Sequence, residues 1–188
     1  MRLTDRDMQI IDFIKVCGVV DTETICKMFF NNGLRTCQIR LKKLVDNKHI
    51  KKIERETFLE QNVFYVNKKP KQLKHKLLFS KFVAELQLLG AEILKIKSPL
   101  KIGNVIADGF IAYKLGGENK ILLIEIELTK YFNLKKYEEL YYSKKWKEVF
   151  PVFPSIAVIT DKTVEKSTRF TIIDIKTNFE NIKNIYFN

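Results

Sequence analysis

Histidine is nearly absent from the chain, occurring only at His49 and His75, and cysteine is confined to Cys17, Cys26 and Cys37. An odd number of widely spaced thiols without a C-x-x-C pair suits neither a zinc site nor a disulfide scaffold, so all three read as reduced core thiols. Two imidazoles leave little material for a His-based zinc centre or a Ser-His-Asp triad, which removes most hydrolase chemistries; surface or interface histidines are the plainer reading. No apolar run approaches the roughly 20 residues that a membrane span needs. The N-terminus, Met1-Arg2-Leu3-Thr4-Asp5-Arg6-Asp7, is charged where a secretory signal is apolar, so the expected location is cytoplasmic.

What the chain does have is positive charge. Its 188 residues carry 34 Lys and Arg against 22 Asp and Glu, a net charge of +12, with 46% apolar residues. That apolar content is too high for a disordered chain, and the length suits one compact domain or two small ones. The charge favours nucleic acid or another anionic partner, with a solvated lysine-rich surface as the bland alternative.

The first third predicts three short helices. Thr4 before Asp5-Arg6-Asp7 is an N-cap followed by acidic residues that suit the helix dipole. A helix is therefore expected from about Asp5, with Met8, Ile10, Ile11, Phe13, Ile14 and Cys17 on its apolar stripe and Gly18 as its stop. A second start falls at Asp21 or Thr22, with Ile25, Cys26, Met28 and Phe29 as the buried face, until Asn31-Asn32-Gly33 turns the chain. In the third, Leu34, Cys37, Leu41, Leu44 and Val45 share one face; Arg35, Thr36, Ile39, Lys42 and Lys43 fall opposite, with Arg40 at the flank.

Ile50 to Glu54 and Val63 to Val66 then read as two paired strands. Helix, helix, helix, hairpin is the order of a winged helix-turn-helix, expected here over residues 1–68. In such a unit the last helix meets base edges and its flanking cations meet phosphates. Arg35 and Thr36 are placed for bases, Arg40 and Lys43 for bases or phosphates, and Lys42, Lys51 and Lys52 complete the expected DNA-binding set. Exposed Ile39 suits a thymine methyl or a second protein chain, or else core packing. Between Asn31 and Lys76 there are thirteen basic residues against four acidic, so the charge excess is concentrated here. The expected wing tip, Arg55 to Glu60, is not basic and suits a protein partner better than a groove.

Asn67-Lys68-Lys69-Pro70-Lys71-Gln72 breaks the periodicity and marks a boundary, with a second domain over 69–188. Helical spacing returns from Leu73 to Leu89. Strands follow at Ile93 to Ile96, at Phe110 to Tyr113 and, after the turn Gly116-Gly117-Glu118-Asn119, at Ile121 to Leu128. A helix is expected from Asn133 to Val149, then strands at Ser155 to Thr160 and Thr171 to Ile175. The fold class is therefore α+β, with an α-β-β-β-α-β second domain.

Any chemistry in that domain centres on Asp108, Glu125 and Glu127. Side chains alternate along a strand, so Glu125 and Glu127 share a face near a strand end, and Asp108 precedes the neighbouring strand. Paired carboxylates at a strand end suit Mg²⁺, which keeps waters, one of which is able to attack a phosphodiester. A strand end that simply reaches solvent is the alternative, and both stay open at this point.

Leu3-Thr4-Asp5-Arg6-Asp7, Arg40-Leu41-Lys42-Lys43-Leu44-Val45, the helix from near His75, and Ala107-Asp108-Gly109 followed by Ile124-Glu125-Ile126-Glu127 together resemble the replication-relaxation family of bacterial plasmids, phages and conjugative elements. The resemblance covers roughly Leu3 to Tyr142. It implies a winged helix fused to a domain similar to the PD-(D/E)XK nuclease fold, with Asp108 and Glu125 in the two acidic and metal-binding positions and Glu85 as a further acidic residue. The lysine of that motif is Glu127 here, and Lys130 stands three residues late, which points to a degenerate nuclease domain.

Two functions are then expected. The favoured one is an accessory or regulatory protein of a mobile element that binds sequence-specific or AT-rich double-stranded DNA without a cofactor, its second domain dimerising or recruiting a replication or relaxosome protein. The other is a Mg²⁺-dependent endonuclease using Asp108, Glu125 and Glu127. A third reading takes Tyr131, Phe132, Tyr137, Tyr141, Tyr142 and Trp146 as a protein interface, although their helical spacing also suits core.

Overall fold

The computed structural model describes residues 1–53, 57 and 60–187, which form two compact units, Met1–Ala84 and Glu85–Asn188. The division falls inside a helix beyond the irregular segment 66–72, whereas sequence places the break at 68/69.

In the first unit, α1 (Asp5–Cys17) starts on a complete capping box: Asp7 N–H donates to the Thr4 hydroxyl and Thr4 N–H donates to the Asp7 carboxylate at 2.7 Å. Gly18 ends it at φ 88°, a conformation open to glycine without strain. A two-residue strand, β1 (Val20–Asp21), leads directly into α2 (Thr22–Phe29), where Asp21 caps by accepting from Thr24 N–H at 2.8 Å. After α3 (Leu34–Asp46) come β2 (Lys51–Ile53) and β3 (Val63–Tyr65), and the three strands form an antiparallel sheet in the order β1-β3-β2. Its register pairs Val20 with Phe64 and Lys52 with Phe64. The wing-tip residues Arg55, Glu56, Phe58 and Leu59 lie outside the described residues, as does Glu54. Ile10, Ile14, Ile25, Leu41, Leu44 and Ile50 are buried in this unit, as are the three free thiols.

Two expected core positions differ. Met8 is 44% exposed because Asp7, one residue earlier, takes the inward place on α1, and Leu34 is 50% exposed at the very start of α3.

The helix α4 (Leu73–Leu88) leads into β4 (Glu92–Lys97), then the hairpin β5 (Leu100–Ile102) and β6 (Val105–Ala107), then β7 (Gly109–Leu115) and β8 (Glu118–Ile126). After α5 (Leu134–Ser143) follow β9 (Ser155–Ile159) and β10 (Ile172–Ile175). The five long strands make a mixed sheet in the order β10-β9-β8-β7-β4, with β4, β7 and β8 antiparallel in sequence and β8, β9 and β10 parallel. Central β8 is buried from Leu122 to Ile126, which explains a run apolar on both faces. Gly116 and Gly117 both have positive φ in the β7–β8 turn, as a two-residue hairpin requires.

The expected helix to Val149 ends six residues early. Lys144 turns left-handed, and a 3₁₀ turn over Lys145–Glu148 carries Trp146 into an aromatic group with Tyr141, Phe153 and Phe170. Core packing there outweighs continuation of the backbone ladder. Among the described residues, no helix is long and apolar enough to cross a membrane.

Candidate functional site

Two places carry the sequence-derived candidates, one in each unit. On α3, Cys37, Leu41 and Leu44 are buried, whereas Arg35, Thr36, Ile39, Lys42 and Lys43 are all exposed, and so are Lys51 and Lys52 on β2. Ile39 is 49% exposed, so core packing does not account for it. Lys42 and Lys52 also line a groove of about 290 Å³ shared with Leu41, Val45, Asn62 and Phe64.

Arg40 is placed differently from its neighbours. Its guanidinium grips the Asp7 carboxylate two-pronged, Nε lying 2.7 Å from Oδ1 and the terminal nitrogen meeting Oδ2. Asp7 is fully buried, and the guanidinium beside it holds its carboxyl far below the usual carboxylate range. Arg40 thus fastens α3 to α1.

The acidic residues of the second unit meet where β7 begins and β8 ends. Gly109 pairs with Ile124 in that register, so Asp108 is carried opposite Glu125. Asp108 is half-buried; its Oδ2 accepts from Ile126 N–H at 2.8 Å, and its carbonyl accepts from the Ser98 hydroxyl at 2.8 Å. Glu125 is buried, and one of its oxygens receives two donors from α5: the Lys136 ammonium at 2.7 Å and the Tyr137 hydroxyl. Lys136 also donates to the Ile106 carbonyl at 3.2 Å. Glu127 lies just past β8 and is half-buried, its N–H on the Ile159 carbonyl and its own carbonyl accepting from the Thr160 hydroxyl.

Burial pushes the Glu125 carboxyl above its ordinary value, the bonds from Lys136 and Tyr137 pull it back, and the Asp108 charge adds to the rise. The Tyr137 hydroxyl is pushed well up, first by burial and then by the surrounding carboxylates, so it remains a proton donor. Two like charges buried together need a cation, and here the Lys136 ammonium is that cation. Sequence reasoning sought a lysine along β8 and missed this one. It stands on the next element, one turn into a helix whose cap, Asn133, accepts from Lys136 N–H at 3.2 Å.

In this arrangement the cation beside Glu125 is the Lys136 ammonium, and a divalent ion bound by Glu125 and Asp108 would have to share them with it. Among the described residues no three His, Cys, Asp or Glu side chains are grouped to hold a metal, and one oxygen of each carboxylate is engaged, Glu125 Oε1 by Lys136 and Tyr137 and Asp108 Oδ2 by Ile126 N–H. Glu85 is half-buried on α4. Of the aromatic residues near α5, Tyr137 and Trp146 belong to the core and Phe132 stacks on Tyr137 at 5.6 Å, while Tyr131 and Tyr142 are exposed. No protein-family model matches the chain, and no curated protein matches it.

Proposed function

We propose that the chain is a cytoplasmic, duplex DNA-binding accessory or regulatory protein of a bacterial mobile element. On this reading residues 1–68 form a winged helix-turn-helix, and residues 69–188 form a PD-(D/E)XK-like domain that serves dimerisation or recruits a replication or relaxosome protein. One observation carries the proposal: five α3 side chains, Arg35, Thr36, Ile39, Lys42 and Lys43, are exposed together opposite a buried apolar face. Major-groove recognition needs such a helix, with adaptable donors, one apolar contact for a thymine methyl, and cations for phosphates. The order α1, β1, α2, α3, β2, β3, with β3 between the other strands, supports the same reading.

Binding of a labelled duplex, followed by anisotropy, tests it. Arg35→Ala is expected to weaken binding by roughly 1–3 kcal/mol if the side chain meets a base, and Lys43→Ala to weaken it more evenly across sequences. Unchanged affinity in both variants would remove α3 as the recognition helix.

The second reading, a metal-dependent endonuclease, is favoured by the meeting of Asp108 and Glu125 at adjoining strand ends. Against it stands the Lys136 ammonium, which already neutralises Glu125. Supercoiled plasmid incubated with Mn²⁺ or EDTA separates the two: intact plasmid in both supports the binder, whereas Mn²⁺-only nicks lost in Glu125→Ala establish the enzyme.

A further inference from the structure

Tyr131 is 73% exposed, more than any other large apolar side chain among the described residues. Such exposure is usually found on a loose loop, but this ring is held. The Lys162 ammonium lies 4.8 Å from its centroid and also donates to the carbonyls of Thr129 and Lys130, the second at 3.2 Å. On one side in sequence, the Glu127 carbonyl is tied to the Thr160 hydroxyl at 2.7 Å; on the other, Phe132 stacks on the buried Tyr137 ring. The segment Glu127–Phe132 is therefore strapped to the start of the loop after β9 and to α5, and Tyr131 projects from a fixed base.

Its place and surroundings point to a ligand class. β8 and β9 run parallel, and open α/β sheets bind ligands beyond the carboxyl ends of such strands, where Tyr131 and Lys162 stand. Lys130 precedes the ring, and Lys135 and Lys145 line a groove of about 340 Å³ in whose lining Glu139 is the only carboxylate, the Lys136 ammonium there being engaged by Glu125. A pre-set aromatic face with lysines around it suits a polymer that alternates flat bases with phosphates. A base inside a duplex is already stacked on both sides and offers no face to the ring.

We infer that this edge of the second unit binds single-stranded nucleic acid, with an unpaired base on Tyr131 and the adjoining phosphates on Lys130, Lys162 and the groove lysines. The inference goes beyond duplex binding by α3 and does not need it.

The test uses the full chain with fluorescein-labelled oligo(dT) and oligo(U) about 12 nucleotides long, and with the dT·dA duplex of the same length. Tyr131→Ala is expected to weaken single-strand binding about tenfold, within the range of one base–aromatic stack, and Tyr131→Phe to keep it. Because the ring is exposed, Tyr131→Ala folds, which unchanged Trp146 fluorescence verifies. Duplex affinity should be unaltered by Tyr131→Ala and lowered by Arg35→Ala, so failure at one site is read separately from failure at the other. Equal binding of dT and U marks a site indifferent to the 2′-hydroxyl, and a preference names the natural strand; both support it. The inference is overturned if the parent binds neither single strand, if Tyr131→Ala binds as tightly as the parent, or if single-strand and duplex affinity fall together.

Discussion

Arg40 and Asp7, 33 residues apart in sequence, form a two-pronged ion pair whose acidic partner is fully buried at the N-terminal turn of α1. Asp7 thereby has two duties, as N3 member of the capping box and as the anchor of α3. Arg40, expected from sequence among the DNA contacts, also holds α3 against α1.

This pair should make the first unit acid-sensitive. The folded Asp7 carboxyl takes up its proton only far below its ordinary value of 3.8, so on acidification the unfolded chain is protonated first. The stabilising contribution is therefore complete above that value and is lost as pH falls through it towards the folded one. Urea midpoints at pH 7, 4 and 3 should fall more steeply in the parent than in Asp7→Asn, which is expected to be less stable by about 1–3 kcal/mol at pH 7.

The Glu125 cluster should behave in the opposite sense. A carboxyl raised in the folded state binds protons more tightly there than in the unfolded chain, so stability falls as pH rises from its ordinary value through the raised one. Lys136→Ala removes the compensating ammonium and should steepen that fall, with a loss of roughly 2 kcal/mol at pH 8 and less at pH 5. Glu125→Gln should flatten it. Trp146, the sole tryptophan, packs in the same unit and reports the transition by fluorescence.

Thiol labelling gives a third expectation. Burial pushes the Cys37 thiol up to about 12 and the Cys17 thiol higher still, and all three cysteines are buried and free. The thiolate is the reactive form. Native protein should therefore react slowly with a thiol reagent at pH 8, and all three groups should appear at once in denaturant. Fast labelling of the native chain would place a cysteine outside the core.

Lysines on α3 and β2 should appear in the salt dependence of duplex binding. Each of Lys42→Gln, Lys43→Gln and Lys52→Gln is expected to lower the slope of log K against log salt by about 1 where the side chain neutralises one phosphate. A slope unchanged in all three assigns the phosphate contacts elsewhere.

Much of this architecture is legible before any coordinate. Thr4 and Gly18 bracket α1, Asp21 starts α2, and Gly116-Gly117 marks the tight turn, because caps and turns are local chemistry. What sequence misses is set by partners distant in the chain. β1 has only two residues and exists through its pairing with β3, and β5 and β6 are three residues each. α5 stops at Ser143 because Trp146 has an aromatic cluster to join. In the candidate site, Glu125 and Glu127 are singled out by strand alternation, and Asp108 by its place before the neighbouring strand. Lys136 is not, since its role depends on where α5 lies against Glu125, and neither is the Arg40–Asp7 pair, because a flanking arginine looks the same in sequence whatever acidic group it meets.

The placement of β3 between β1 and β2 has a consequence for how the chain is made. Val20 and Asp21 emerge from the ribosome long before Phe64 and Val63, the residues they pair with. Until Tyr65 has been synthesised, β1 is a bare edge and the sheet beneath the helices is missing, so the three helices can only associate loosely. A chain truncated within the hairpin should therefore lack the β1–β3 pairing and unfold more readily than the full first unit, which urea titration followed by circular dichroism checks.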